Sequence, residues 1–80
     1  MTGQGLAFSA LKESENGDWL VLRCVNLRED QVAGSWRLPF DIREAKLARL
    51  DETPLSDLSL DGREIRFDAG PRAIVTILAR

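Results

Sequence analysis

The stretch WLVLRCVN, residues 19–26, decides the fold of this 80-residue chain. Successive side chains of an extended strand point to opposite faces. One face of this stretch carries Leu20, Leu22 and Cys24, and the other carries Trp19, Val21, Arg23 and Val25. Because both faces are mostly apolar, the stretch predicts a β-strand in the interior of a sheet, whose outer face is covered or awaits a partner.

Turn signals divide the rest of the chain into further strand-length segments. The dipeptides Asn16-Gly17, Asp61-Gly62 and Gly70-Pro71 are typical of tight turns. The other segments predicted as strands are residues 6–11, 31–38, 42–50, 55–60, 63–68 and 73–79. Residues 42–50 also fit helical spacing, and we favour a strand because strands surround them. Residues 73–79 are apolar on both faces, which predicts a second interior strand.

These segments predict an all-β protein, a small antiparallel β-sandwich of six or seven short strands, mostly connected by hairpins. The length suits one domain, so residues 1–80 are expected to form a single β-sandwich domain with flexible residues 1–5. The side chains expected to fill the core are Phe8, Leu20, Leu22, Trp36, Leu47, Ile65, Phe67, Ile74 and Leu78.

The composition offers little catalytic chemistry. The absence of histidine excludes serine–histidine and cysteine–histidine mechanisms, and the single cysteine excludes an internal disulfide. Cys24 is expected to be a buried apolar residue, and a reducing, cytoplasmic location suits it. The net charge of −2 without a basic run argues against nucleic-acid and membrane partners. The acidic residues expected in solvated loops are Asp51, Glu52, Asp57 and Asp61, and we expect no metal or cofactor in this chain.

The outer face of residues 19–26 is the candidate interaction site. Isolated domains rarely leave a large apolar patch uncovered, which predicts a docking face or a sugar-contact face. Its residues are Trp19, Val21, Arg23 and Val25. The sugar-contact alternative depends on the tryptophans, because an aromatic ring can stack on a sugar. We favour interface burial for Trp19 and core packing for Trp36.

Four sequence motifs follow one another along the chain. They are VLRCVN (residues 21–26), WRLPF (36–40), EAKLARLDE (44–52) and PRAIVTIL (71–78). They resemble the C-terminal β-sandwich region of glycoside hydrolase family 38 α-mannosidases, in which the patterns VLRxxN, EAxLxxLxE and P-x-x-I-x-T recur. The resemblance covers about residues 17–80.

The resemblance implies a non-catalytic C-terminal accessory domain that docks on the catalytic part of a parent α-mannosidase. It also implies a retaining mechanism and a zinc ion in the catalytic region, which lies outside these residues, so we transfer no catalytic or zinc-binding residue to this chain. The implied partner is the remainder of the parent chain, and this chain alone is not expected to be an enzyme. Two alternatives stay open. One is a carbohydrate-binding module that uses an exposed tryptophan, and the other is a protein-interaction module that forms a homodimer through a sheet edge.

Overall fold

The computed structural model describes residues 3–13, 17, 19–51 and 53–80. These residues form strands and loops without a helix, which confirms the all-β prediction. The strands are β1 (Leu6–Glu13), β2 (Leu20–Asn26), β3 (Val32–Arg37), β4 (Ala45–Ala48), β5 (Pro54–Asp57), β6 (Ser59–Asp61), β7 (Glu64–Ala69) and β8 (Ile74–Ala79).

The strands form two antiparallel sheets packed as a sandwich. The five-stranded sheet has the order β1-β2-β8-β4-β5, and the three-stranded sheet has the order β3-β7-β6. Strands β2 and β8 therefore lie in the interior of their sheet, as their two apolar faces predicted. The described part of the chain has eight strands where six or seven were predicted. The extra strand arises because residues 55–60 divide at Leu58 into β5 and β6, which belong to different sheets.

The connections also differ from the prediction of a mostly hairpin-linked chain. Among the described strands, the hairpins are β1–β2, β4–β5 and β6–β7, and the other four connections cross between the sheets. Crossing is needed because each sheet has one apolar face that only the other sheet can cover. At the β5–β6 crossing, the Leu58 N–H donates to the Ala45 carbonyl oxygen at 2.9 Å.

The core lies between the sheets. Its buried members are Leu22, Cys24, Trp36, Leu38, Ile42, Ala45, Ile65, Phe67, Ala69, Val75, Ile77 and Ala79. The predictions for Leu22, Trp36, Ile65 and Phe67 are confirmed, and Leu20 and Leu47 pack against this core as partly buried side chains. The predicted core side chain of Phe8 lies outside the described part of the chain.

The prediction for β8 chose the wrong face. Ile74 was expected in the core, but it is 58% exposed. Leu78 is buried, although in a separate cluster with Val21 and Ala48. The pairing of β8 with β2 sets Ile77 opposite Leu22, and this register directs Val75, Ile77 and Ala79 inward. Both faces of β8 are apolar, so alternation alone cannot show which one is inside.

The strand predicted over residues 42–50 is confirmed for residues 45–48 alone, and the predicted turns at Asp61-Gly62 and Gly70-Pro71 agree with the structure. Residues 45–48 form strand β4, with Ala45 buried in the core. Gly62 adopts a φ of +63° in the β6–β7 hairpin, where a left-handed conformation favours glycine. The Ala73 N–H donates to the Gly70 carbonyl oxygen at 3.1 Å and closes the predicted turn. Asn16, of the predicted Asn16-Gly17 turn, lies outside the described residues.

Candidate docking face

The outer face of the five-stranded sheet carries all four residues predicted as the interaction site. Because Leu22 and Cys24 point into the core, the pleat directs Trp19, Val21, Arg23 and Val25 to the opposite side. Neighbouring strands extend this face through the cross-strand pairs Val21–Leu78–Lys46, Arg23–Thr76–Ala48 and Val25–Ile74.

One end of this face is covered by the chain itself. Val21, Ala48 and Leu78 form a small buried cluster, and Trp19 packs against it as a half-buried side chain. The Arg80 guanidinium lies 4.0 Å from the centre of the Trp19 ring, a distance at which a cation is attracted to an aromatic face. Val21 is consequently 0% exposed. Two of the four predicted residues are therefore largely used in packing within the domain.

Arg23 links the middle of the face to the β4–β5 turn. Its Nη2 atom donates to the Leu50 carbonyl oxygen at 2.7 Å, and its Nε atom donates to Thr76 Oγ1 at 3.4 Å. The side chain is half-buried and lies across β8. These two hydrogen bonds hold the Leu50 turn against the sheet.

An apolar patch lies beside Arg23 on the outer face. Ile74 pairs with the half-buried Val25 on the neighbouring strand. The Leu50 carbonyl oxygen accepts a hydrogen bond from Arg23. Leu55 precedes Ser56, which pairs with Leu47, and Leu47 packs against the core. Leu55 is the extra residue of a β-bulge, between the pairs Leu47–Ser56 and Ala48–Pro54, and it is 53% exposed. We call Val25, Leu50, Leu55 and Ile74 the apolar patch, and the last three side chains are each more than half exposed.

Sequence reasoning missed the most exposed members of the apolar patch. The signal was present in the two apolar faces of residues 73–79, but Ile74 was assigned to the core. Leu50 and Leu55 lie at the ends of short strands, where alternation is too brief to assign a face. Only the register between β4, β5 and β8 brings these residues to one surface.

The opposite outer face of the sandwich is polar. Its central cross-strand row is Ser35–Arg66–Ser59, and the next row is Arg37–Glu64–Asp61. Arg66 pairs with Glu64 at 3.3 Å and with Asp61 at 3.5 Å. A shallow concavity of about 480 Å³ lies over this sheet. This face is suited to solvent, so the apolar patch distinguishes the two outer faces.

The motif residue Asn26 is buried and connects two loops. Its Nδ2 atom donates to the carbonyl oxygens of Asp30, Ala69 and Gly70 at 2.8, 3.2 and 2.9 Å. Its Oδ1 atom accepts from the Arg28 N–H at 2.9 Å. Asn26 therefore joins the β2–β3 loop to the β7–β8 loop, which gives the last position of the VLRxxN pattern a structural role.

Two of the acidic residues expected in loops lie at strand ends instead, because Asp57 ends β5 and Asp61 ends β6. Asp57 accepts from Lys46 Nζ at 2.8 Å, and this interaction raises the pKa of the Lys46 ammonium. The hydrogen bonds from Thr53 lower the pKa of Asp51. Glu52 lies outside the described residues. Within residues 3–13, 17, 19–51 and 53–80, no group of three or more His, Cys, Asp and Glu side chains is placed so that it could hold a metal ion.

We expect Cys24 to be inert toward thiol reagents in the folded domain. Burial between the sheets raises the pKa of its thiol, and the reactive thiolate is correspondingly scarce at pH 8. A colorimetric disulfide reagent should modify Cys24 only as fast as the domain opens, and at the rate of a free thiol in urea. Rapid modification at pH 8 without urea would contradict the burial of Cys24.

No helix long and apolar enough to cross a bilayer is found in the part of the chain that the structure describes. The comparisons with curated proteins and with solved structures found no match. The family model described as the glycosyl hydrolases family 38 C-terminal beta sandwich domain matches residues 5–77. This range contains Asn26 and every strand except the last two residues of β8. The chain therefore belongs to the family of glycosyl hydrolases family 38 C-terminal beta sandwich domains.

Proposed function

We propose that this domain is a non-catalytic accessory domain of a family 38 α-mannosidase, and that the apolar patch docks on the catalytic part of that enzyme. The family description, a C-terminal domain of glycosyl hydrolases, supports a partner of this kind. The observation that carries the proposal is Ile74. It lies on the central strand of the five-stranded sheet and is nevertheless 58% exposed.

The energetics favour covering this patch. Burying an aliphatic side chain contributes about 1.5–3 kcal/mol, so three such residues offset part of the cost of association. Arg23 can be covered with them because its guanidinium already donates to Leu50 and Thr76. Interface centres are typically apolar with an arginine among the aliphatic side chains, as in this arrangement.

No observation favours carbohydrate binding through tryptophan. Trp36 is 5% exposed and packs in the core, where no sugar can stack on it. Trp19 is half-buried, and the Arg80 guanidinium lies against its ring. A sugar would have to displace this cation–π contact to reach that face of the ring.

Replacing Ile74 with serine tests the docking proposal. We expect Ile74→Ser to weaken association by roughly five- to twentyfold, because a side chain that is 58% exposed has about 0.9–1.7 kcal/mol of apolar burial left to gain on docking. The probe is the catalytic region of a family 38 α-mannosidase from the same source, expressed without its own C-terminal sandwich and measured by titration calorimetry. The melting temperature of the variant should stay near that of the wild type, since Ile74 lies outside the core.

Ala33→Ser is the control, because Ala33 is an exposed aliphatic residue on β3 of the other sheet, opposite the exposed Asp68. It should leave the affinity unchanged. Equal affinities of the wild type and Ile74→Ser would contradict docking through the apolar patch. If the wild-type domain sedimented as a dimer and Ile74→Ser as a monomer, the patch would be covered by a second copy and the proposal would be wrong.

A further inference from the structure

The turn before β8 contains an arginine where glycine is the usual residue. Gly70-Pro71-Arg72-Ala73 is closed by the hydrogen bond from the Ala73 N–H to the Gly70 carbonyl oxygen. Pro71 occupies the second position, and Arg72, with a φ of +55°, occupies the third. A turn with positive φ at its third position follows the type II pattern, in which that position favours glycine or asparagine. Arg72 is therefore held in a strained left-handed conformation.

The contacts that Arg72 makes within the domain stabilise it too little to offset this strain. Its N–H donates to the Arg28 carbonyl oxygen at 3.0 Å, but any residue other than proline makes this backbone contact. Its Nη2 atom lies 3.6 Å from Glu29 Oε1, and the two side chains are 62% and 88% exposed. Ion pairs this open to solvent contribute little to stability. Backbone strain without local compensation is typical of residues kept for an external contact.

The loops around Arg72 are rigidly held and adjoin the apolar patch. Asn26 hydrogen bonds tie the β2–β3 loop to the β7–β8 loop, and a concavity of about 430 Å³ lies between Leu27, Arg28, Glu29, Asp30 and Arg72. Leu27 is 55% exposed. Leu27 follows Val25 by two residues and Arg72 precedes Ile74 by two residues, while Val25 and Ile74 are paired. Leu27 and Arg72 thus lie just beyond the strand ends that carry the paired Val25 and Ile74.

The two arginines that line this concavity differ in the ion pairs that they make within the domain. The Arg28 guanidinium binds both oxygens of Asp30, at 2.7 and 3.0 Å. Arg72 has a single, longer contact with Glu29. A planar guanidinium binds a carboxylate most strongly through two parallel hydrogen bonds, and a carboxylate from outside can offer Arg72 that geometry in place of Glu29.

We propose that Arg72 and Leu27 form a second contact site for the same protein partner, in which Arg72 binds an aspartate or glutamate carboxylate and Leu27 packs on an apolar side chain beside it. This inference rests on the proposed function, because the partner is the catalytic part of the parent enzyme. The site extends the docking surface from the apolar patch to the end of the sandwich formed by residues 27–30 and 70–73.

The test uses Arg72→Gly and Arg72→Asn, which suit positive φ and remove the guanidinium. We expect the melting temperature of the isolated domain to hold or rise by up to roughly 4–8 °C, because the strain is relieved. Affinity for the family 38 catalytic region described above should fall at least tenfold. A purely structural role for Arg72 would not produce greater stability together with weaker binding. Arg63→Ala, at the other end of β7, removes an exposed arginine with one ion pair to Asp41 and should change neither value.

The outcomes separate this inference from the docking proposal. If Ile74→Ser weakens association and both Arg72 variants bind like the wild type, the apolar patch stands and the second contact is wrong. If both Arg72 variants melt at lower temperature than the wild type, the side chain serves the fold, and the inference is again wrong. If the wild-type domain does not bind the catalytic region, the proposed function fails and this inference fails with it.

Discussion

Asn26→Leu should lower the free energy of unfolding by about 3–5 kcal/mol. The asparagine is 0% exposed, and its side chain makes four hydrogen bonds to backbone atoms of two loops. Leucine has a similar size but leaves three carbonyl oxygens and the Arg28 N–H without this partner. Each buried polar group left unsatisfied costs about 1–3 kcal/mol, although groups at the loop surface recover part of this from water. Urea unfolding followed by tryptophan fluorescence measures the change.

Two companion variants make this result specific to the hydrogen bonds. Asn26→Asp keeps the acceptor for the Arg28 N–H but sets a carboxylate oxygen against three carbonyl oxygens, so it should also be strongly destabilising. Gln31→Leu removes an exposed amide five residues away and should change the free energy by less than about 0.5 kcal/mol. A loss below about 1 kcal/mol for Asn26→Leu would show that Asn26 does not hold the two loops together.

Trp36→Ala should cost about 3–5 kcal/mol, the range typical of removing a large aromatic side chain from a core. Trp36 is 5% exposed and lies on β3, where it pairs with Ile65 and packs between the sheets. A domain of this size has roughly 4–12 kcal/mol of total stability, so the loss amounts to about a quarter of it or more. Urea unfolding followed by far-ultraviolet circular dichroism is the measurement, since Trp36 is itself one of the two fluorophores.

Trp19→Ala provides the comparison for Trp36. Trp19 is partly buried on the outer face, where it packs against the small cluster of Val21, Ala48 and Leu78 with the Arg80 guanidinium over its ring. Its removal should cost less than the removal of Trp36, because it packs against a smaller cluster and part of its surface is already in contact with water. Trp36→Phe retains an aromatic ring and keeps the domain measurable if Trp36→Ala does not fold. Equal losses for Trp19→Ala and Trp36→Ala would contradict the assignment of Trp36 to the core.

The predicted parts of the fold were those set by local chemistry. Gly62 and Gly70-Pro71 restrict the backbone wherever they occur in the chain, and both turns formed as expected. Trp36 and Ile65 lie in strands with one clearly apolar face, so alternation sufficed to assign them to the core. Residues 45–48 form a strand, as we expected from the strands predicted on either side of them.

The features that the sequence did not predict depend on contacts with residues that are distant in the chain. Leu58 lies between β5 and β6, which join different sheets, and no local signal marks that division. The hydrogen bonds of Asn26 reach residues 43 and 44 positions away. The positive φ of Arg72 contradicts the local preference of arginine, so the residue type gives no signal for it.

The amino-acid sequence by itself determined the strand content, the turns and the family, because backbone preference, side-chain alternation and motif order are properties of short segments. Only the tertiary structure decided which face of β8 points outward. Both faces are apolar, and a shift of one residue in the register would exchange Ile74 with Val75. The pairing of Leu22 with Ile77 across the sheet settles this choice, and with it the position of the apolar patch.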